Sequence, residues 1–358
     1  MIKLDTKASG QFSVYIPDDS GNLQLVTKSK NLVLNTGLDA VGFIPWANCL
    51  TTVLAGSGTT NPAPTDLLNS ISFHSATLSA TGSPAAPACY TLVDLITAPV
   101  NSPSDFRIGK TFQLTNTLST SATITEVAIS CTTTPNLTSL FSRSKLNDPF
   151  ILNSGKFAYI IYELTLKTDL TRQGFQVTTD GTPEFSFPND AELGLFNCPY
   201  SYLESNGALQ NSTFASGQAT FEPCNPEYYL YYLRTNPGAA YFDKKRDWFE
   251  QNQTNLLASM NGEATVGTYT NCHSNGHKFS NDDGGTYIRG TYKRMRHIIV
   301  SPEVPAVAEP IYGFAITNLS TVTNVRQSGL QCVFPTTPWT RPTNVFTKIY
   351  FEQTWSAA

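Results

Sequence analysis

Apolar and polar residues alternate along several stretches of this chain, which is the pattern of half-buried β-strands. The clearest run spans residues 157–167, directly after an Asn-Ser-Gly-Lys turn. Patterns that favour a helix are short, at residues 38–54 and 241–257, and Gly42 and Pro45 limit the first of them. Further strands are predicted at residues 90–96, 105–114, 122–130, 286–291, 293–300, 311–317 and 345–355. The pattern predicts an all-β fold.

Turn and proline signals divide the chain into a short arm, two larger domains and a linker. At the start, Phe12, Val14 and Ile16 alternate before a Pro-Asp-Asp-Ser-Gly-Asn turn, which predicts a hairpin too small to fold alone. We therefore expect two tandem β-sandwich (jelly-roll-like) domains with an N-terminal hairpin arm and little helix. The predicted boundaries are 1–30 for the hairpin arm, 31–170 for the first β-sandwich, 171–190 for the linker, and 191–358 for the second β-sandwich with an irregular Tyr/Pro-rich insert.

The two halves share a short similarity. Residues 124–129 (Ile-Thr-Glu-Val-Ala-Ile) and 311–316 (Ile-Tyr-Gly-Phe-Ala-Ile) each precede a loop and a long alternating strand. An internal duplication and chance similarity between β-rich segments both fit this observation.

Composition adds a reason to expect packing against other chains. Charged residues make up only 14% of the 358 residues and the net charge is −4, a balance that favours neither nucleic-acid binding nor a disordered acidic tail. Thr, Ser and Asn fill the polar positions, and their groups cost less to desolvate at an interface than charges do. An ordinary β-rich secreted monomer fits the composition equally well.

Signals for export, membranes and disulfides are weak. Met1 is followed by Ile-Lys-Leu-Asp without an apolar region, and no apolar stretch approaches the ~20 residues that span a bilayer. We expect synthesis as a soluble cytoplasmic product and no membrane partner. Reduced, buried thiols are the expectation for the cysteines, which are scattered at 49, 89, 131, 198, 224, 272 and 332.

Candidate chemistry is sparse. Cys272, His273 and His277 form a weak candidate metal cluster, but a second ligand pair is missing, so a surface loop with incidental histidines is the alternative. No nucleophile motif, phosphate loop or paired catalytic carboxylates stand out, and we expect no enzyme activity and no cofactor. A hydrolase on a β-sandwich is the remaining enzymatic alternative.

Two clusters have both a structural and a binding interpretation. Four tyrosines of the insert are a possible glycan-stacking platform or ordinary core aromatics: Tyr228, Tyr229, Tyr231 and Tyr232. The basic cluster comprises Arg289, Lys293, Arg294, Arg296 and His297. On a strand, Arg294 and Arg296 share one face, so we expect ion pairing or a solvated edge and no nucleic-acid partner.

Four ordered motifs carry a resemblance to a known family. They are Asn31–Asp39 (NLVLNTGLD), Gly56–Asp66 (GSGTTNPAPTD), Ile124–Ile129 (ITEVAI) and Leu140–Arg143 (LFSR). In this order they resemble tail-associated structural proteins of tailed bacteriophages, with Ala128 where that family usually has Gly. The end of the chain, from Phe334 to Trp355, is similar to the family's closing strand.

The resemblance implies a structural subunit of the virion in the tail, baseplate or neck, without catalytic residues. Its implied partners are other copies of the chain and other virion proteins. A head-decoration or head-fibre protein, or a receptor- or carbohydrate-binding module that contacts a host surface glycan, are the alternatives. From the residues themselves we predict a buried ion pair between Glu126 and Arg143, with two exposed, unpaired side chains as the alternative. Gly56 and Gly58 predict positive φ in a tight loop.

Overall fold

The computed structural model describes residues 1–70, 72, 79–81, 105–172, 181–182, 184–187, 189, 191–196, 223–224, 228–233, 269–271, 280–281, 287–300, 310–318, 329–334, 336–340 and 345–358. Eighteen β-strands lie within these ranges. The strands of the first half are β1 (Ile2–Pro17), β2 (Leu23–Val33), β3 (Thr52–Gly56), β4 (Ser79–Thr81), β5 (Asp105–Thr115), β6 (Ala122–Ser130), β7 (Leu140–Leu152) and β8 (Phe157–Arg172).

The strands of the second half are shorter on average. They are β9 (Glu192–Phe196), β10 (Tyr228–Leu233), β11 (Tyr269–Asn271), β12 (Ser280–Asn281), β13 (Lys293–Val300), β14 (Pro310–Ile311), β15 (Gly313–Asn318), β16 (Gly329–Val333), β17 (Trp339–Thr340) and β18 (Thr347–Ala357). The helices of the described residues are α1 (Asn35–Val41) and two 3-10 turns, Trp46–Cys49 and Leu68–Ser70. The all-β class with little helix is confirmed.

One large sheet organises the first half of the chain. Its strands follow the order β12-β13-β18-β1-β2-β7-β6-β3-β4, and β8 pairs with β1 while β5 pairs with β8. Along the path β5-β8-β1-β2-β7-β6-β3-β4 the sheet curves until β4 lies beside β5. The result is a nearly closed, barrel-like sheet.

The inside of this barrel is the main hydrophobic core. Alternate residues of each strand point inward, as strand geometry requires. Fully buried members include Phe12, Val53, Phe112, Val127 and Ile160. The Tyr162 ring lies across Gly10 and reaches β2, where its hydroxyl accepts a 2.8 Å hydrogen bond from the Asn31 amide. Burial raises the pKa of this tyrosine well above its ordinary value.

Hydroxyl groups join the barrel where β2 and β7 diverge. The Ser29 Oγ accepts a hydrogen bond from the Asn147 backbone N–H at 2.8 Å, and the Thr27 Oγ1 accepts one from Asp148 N–H at 3.2 Å. The Ser144 hydroxyl donates to the Lys30 carbonyl at 2.6 Å. Buried backbone groups need partners, and here side chains supply them instead of a ladder.

The predicted N-terminal arm is part of the barrel. Residues 1–33 do form the predicted hairpin, but β1 lies inside the large sheet. It pairs antiparallel with β8 from Ile2 to Tyr15, and parallel with β18 from Ile2 to Ala8. A strand paired on both sides has no free edge to offer a neighbouring chain, so the prediction of a separate arm is wrong.

The predicted boundary at 171–190 does not separate two sheets. β12, β13 and β18 lie beyond it and belong to the large sheet. Within the predicted linker, β8 continues to Arg172, Phe185 is buried, and Phe185 N–H donates to the Lys348 carbonyl at 2.7 Å.

The rest of the second half forms a smaller sheet with the order β11-β10-β15-β16-β9, and β14 pairs with β17. Its aromatic residues cluster around Phe185, whose ring lies 5.6 Å from Phe314 and 4.7 Å from Trp339 between centroids. The two segments that suggested a duplication differ in context. In the first half, β6 and β8 belong to one sheet, whereas in the second half β15 and β18 belong to two.

Local predictions succeeded where alternation is clear. β5, β6, β8, β13 and β18 match their predicted ranges closely, and β14 with β15 covers the range 311–317. The predicted helix at 38–54 is split, since α1 ends at Val41 and β3 begins at Thr52. The predicted strand at 286–291 is a turn in its described residues, 287–291. The predicted strand at 90–96 and helix at 241–257 lie outside the described residues.

Gly37 gives a test of how α1 is held. A Cβ at this position would lie 2.2 Å from the Phe141 carbonyl oxygen, which belongs to the backbone of β7 and cannot turn away. Helix propensity alone predicts that Gly37→Ala stabilises by about 1 kcal/mol. We expect the opposite, a loss of roughly 1–3 kcal/mol from overpacking, measured by urea denaturation. Ala40→Gly, in the same helix, should follow propensity, and a stabilised Gly37→Ala variant would contradict the packing described.

Candidate functional site, an arginine-centred network under a polar loop

Two irregularities of the sheet place charged residues outside the hydrophobic core. The β6–β7 register shifts between Ile124 and Glu126 and again between Ile129 and Ser130. Each shift marks a bulge, which changes the face that the following residues take. Val127 and Ile129 therefore face the core, whereas Glu126 and Arg143 lie on the opposite face of β6 and β7.

The loop after β3 covers this face, so both charges are buried. The Arg143 side chain is 2% exposed and the Glu126 side chain 0% exposed. Arg143 donates from Nε and Nη2 to Glu126 Oε2, at 3.0 and 2.6 Å. The structure therefore contains the predicted pair in a buried form, with two arginine N–H groups on one carboxylate oxygen.

Loop residues complete the arginine's partners. Arg143 Nη1 donates to Asp66 Oδ2 at 2.6 Å, and Nη2 donates to Thr60 Oγ1 at 2.9 Å. Burial by itself lowers the pKa of the guanidinium, but the hydrogen bonds from Asp66 and Glu126 outweigh it and raise the pKa above its usual range. Arg143 therefore stays charged and holds the loop from both sides.

The second oxygen of Glu126 binds loop backbone. Oε1 accepts from Gly58 N–H at 2.9 Å and from Ser72 N–H at 2.8 Å, and the Thr125 hydroxyl donates to the Gly58 carbonyl at 2.6 Å. Two carboxylates, Glu126 and Asp66, share the single positive charge of Arg143. The two backbone N–H groups on Oε1 stabilise the negative charge that the arginine alone does not balance. Both oxygens of Glu126 are thus occupied by protein groups.

The two loop glycines, Gly56 and Gly58, let the backbone approach the Glu126 carboxylate closely, and neither has a positive φ. A Cβ would instead lie 2.7 Å from the Glu126 carboxylate at Gly56 and 2.2 Å from it at Gly58. The prediction about their φ values is wrong, and the physical reason for glycine is the buried carboxylate below.

The first motif joins the same place. Leu34 N–H donates to the Phe141 carbonyl at 2.9 Å, and Asn35 N–H donates to the Pro64 carbonyl at 2.8 Å. The Thr36 hydroxyl donates to the Leu140 carbonyl. All four motifs, which are widely separated in sequence, therefore meet in one hydrogen-bonded unit.

Asp39, the last residue of the first motif, ties this unit to the end of the chain. Its Oδ1 accepts from the Tyr287 hydroxyl at 2.8 Å and from Gly290 N–H at 2.6 Å. The Trp355 indole donates to the Leu38 carbonyl at 2.8 Å, and its ring lies 5.2 Å from that of Tyr287. This contact could not be predicted from the sequence, because a lone tyrosine after a turn carries no signal for a partner some 250 residues away.

The basic cluster divides as its spacing predicts. Arg294 and Arg296 are buried on one face of β13, and both donate to the Pro223 carbonyl, at 2.9 and 2.7 Å. Lys293 is exposed and pairs with Glu352. Arg289 lies outside the strand with its guanidinium 4.9 Å from the Phe43 ring centroid.

The other candidates are only partly described. The four tyrosines of the proposed glycan platform lie on β10, between β11 and β15. Because strand positions alternate, Tyr228 and Tyr232 belong to one face of that sheet and Tyr229 and Tyr231 to the other. Cys272, His273 and His277 lie outside the described residues. Cysteines 49, 131, 224 and 332 are free thiols, two of them buried.

The described residues contain no group of three or more metal-ligating side chains, and no helix among them has the length and hydropathy of a membrane span. Comparisons with family models, curated proteins and solved structures return no match. What the arginine network can do chemically is to fix a loop, because its charged atoms bind one another.

Removing one charge of the buried pair should be costly. We expect Arg143→Met to lower the free energy of unfolding by about 3–5 kcal/mol, since it leaves the Glu126 and Asp66 carboxylates side by side without their cation. The double variant Glu126→Leu/Arg143→Met should lose less than the single variant. Urea denaturation measures both variants, with Lys28→Met, at an exposed position of the neighbouring strand β2, as the control. A double variant at least as damaging as Arg143→Met alone would contradict this interpretation.

Asp39→Asn tests the link to the chain end. Burial first, and then the hydrogen bond to Asp39, raises the pKa of Tyr287 above its ordinary value. Without the carboxylate, that pKa should move down towards the usual ~10, visible by absorbance titration against a Tyr287→Phe reference. Hydrogen exchange in residues 287–300 should become faster. Asp169→Asn, at an exposed position of β8, should change neither, and an unchanged tyrosine titration in Asp39→Asn would argue against the contact.

Proposed function

We propose that this chain is a non-enzymatic structural subunit of a tailed-phage virion, in the tail, baseplate or neck, that assembles by packing of its β-domains. The virion is its proposed location, and other copies of the chain and other virion proteins are its partners. The observation that carries the proposal is that the motifs behind the family resemblance form one physical unit around Arg143.

That convergence makes the resemblance more specific. Each motif alone is a generic turn or strand pattern. Arg143 binds the carboxylates of Glu126 and Asp66, and Glu126 also accepts from the Gly58 backbone. Each contact depends on its residue type, since a Cβ at Gly58 would meet the Glu126 carboxylate. Residues that depend on each other in this way are retained together, so their joint presence supports common descent better than four separate patterns do.

The network also supports a role without catalysis. A catalytic acid or base needs an atom that can reach a substrate. Both Glu126 oxygens bind protein donors, and the Arg143 guanidinium is 2% exposed. The strongest charge cluster of the described residues therefore serves to position a loop.

The division into units is part of the proposal. The barrel-like sheet would be one unit, together with β18, and the five-stranded sheet of β9, β10, β11, β15 and β16 would be the core of a smaller second one. This replaces two equal tandem sandwiches by a large and a small β-unit.

Two other roles in a virion are alternatives to the proposed one. A head-decoration or head-fibre protein would use the same surfaces. For a receptor- or glycan-binding module, the four β10 tyrosines would have to act as two pairs, one on each face, instead of one continuous platform.

Analysis of purified particles tests the proposed function. An epitope inserted at the exposed turn 153–156 should leave the barrel intact, because tips of hairpins tolerate insertion. We expect quantitative mass spectrometry to find the tagged chain at a fixed copy number per particle, and antibody labelling to mark the tail or its junction with the head. Labelling on the head surface would favour the decoration alternative. Particles that lack the chain after removal of soluble protein would refute a virion role.

A further inference from the structure

An exposed patch near the end of the chain combines apolar and basic groups. Phe43 is 43% exposed and Ile288 is 62% exposed, beside the cationic Arg289. The Arg289 guanidinium lies over the Phe43 ring, with its Cζ atom 4.9 Å from the ring centroid. Arg289 is exposed, and among the described residues no carboxylate forms an ion pair with it. We call Phe43, Ile288 and Arg289 the basic patch.

This patch rests on a rigid support. The Tyr287 ring packs 5.2 Å from Phe43 and 5.2 Å from Trp355, and Gly290 is bound to Asp39. A patch held by buried contacts loses little conformational freedom when it binds, which favours recognition.

The turn between β1 and β2 has the opposite charge. Asp18 and Asp19 are exposed, and Leu25 behind them is 53% exposed. Asp18 accepts from Ser20 N–H at 2.9 Å and from Asn22 N–H at 2.8 Å, so the turn is preformed. Asp19 has no ion pair in the described residues and is free to meet a cation. We call Asp18, Asp19 and Leu25 the acidic tip.

The two surfaces lie far apart on one molecule. Trp355, which supports the basic patch, pairs with Thr6 of β1, whereas the acidic tip follows Pro17 at the other end of that strand. Eleven residues of strand separate them, about 35 Å at roughly 3.3 Å per residue. A single copy cannot bring them together.

We propose that the acidic tip of one copy docks on the basic patch of a second copy, head to tail. The inference deepens the proposed function, on which it rests, by naming the surfaces that join copies. Charge complementarity and exposed apolar side chains on both surfaces select this partner. Such a heterologous contact closes into a ring or continues as a fibre, which are the geometries of repeated subunits.

The contact area of a hairpin tip is small, so one contact is weak by itself. Interfaces that hold a stable pair bury about 1,200 Å² or more. We therefore expect association that increases with protein concentration, weakens with salt, and becomes effective when many copies are arrayed.

A charge swap tests the contact by sedimentation velocity at low and high salt. Arg289→Glu and Asp19→Arg should each weaken self-association on the order of tenfold, because each places like charges opposite one another. The double variant Arg289→Glu/Asp19→Arg should restore self-association, because opposite charges then face one another again at every contact between copies. Ile288→Ala should weaken association, whereas Ile151→Ala, equally 62% exposed but outside both surfaces, should not. Circular dichroism and thermal unfolding check that all variants are folded.

The outcomes separate this inference from the proposed function. Single variants that associate like the wild type, or a double variant that stays dissociated, would overturn the tip-to-patch contact. A wild-type chain that remains monomeric at every concentration and low salt would overturn it too. Neither result bears on the presence of the chain in particles, which the copy-number measurement tests independently.

Discussion

A buried positive charge is the constraint on which the rest of the first half depends. Arg143 is almost completely withdrawn from water, and an unpaired charge there would cost several kcal/mol. The chain therefore needs Glu126 on the neighbouring strand, Asp66 and Thr60 in the loop above, and a route that brings them within hydrogen-bond distance. Two bulges in β6 and β7 provide the route, because they turn both charges away from the hydrophobic core.

The same constraint connects local sequence to overall architecture. Glycine at 56 and 58 lets the loop backbone approach the carboxylate, and Gly37 lets α1 lie against β7. From α1, Asp39 and the Leu38 carbonyl bind Tyr287 and Trp355, so the last strand is held against α1. Within the barrel, β2 and β7 are joined by hydroxyl groups as well as by backbone pairing, which gives Ser and Thr a structural use beyond the surface.

Sequence patterns predicted what depends on short-range periodicity. Alternation located β6 and β8, and the position of Glu126 between Ile124 and Ile129, where a buried carboxylate needs a partner, predicted its pairing with Arg143. β7 was not predicted as a strand, because its polar run from Ser142 to Asp148 lacks clean alternation. Residues of this run bind the loop after β3 or the neighbouring strand β2 instead of alternating between core and solvent. Asp66 and Asp39 lay inside recognised motifs, but their partners are distant in sequence, and no periodicity reports such contacts. The predicted arm failed because a hairpin pattern does not say what pairs with its outer edges; here β8 and β18 do.

A rigid β-barrel with an internally satisfied charge network suits a protein that acts through its surfaces. In this account the arginine network makes the motif region one cooperative unit, and the exposed turns and patches carry recognition. The most direct measurement is hydrogen exchange at the Gly58 and Ser72 amides, which donate to the buried Glu126 carboxylate. The account predicts that both amides exchange only when the whole barrel unfolds, with the same free energy as the β6 core. Exchange at the rate of an exposed loop, with β6 still protected, would show that the network does not hold the loop and would contradict the account.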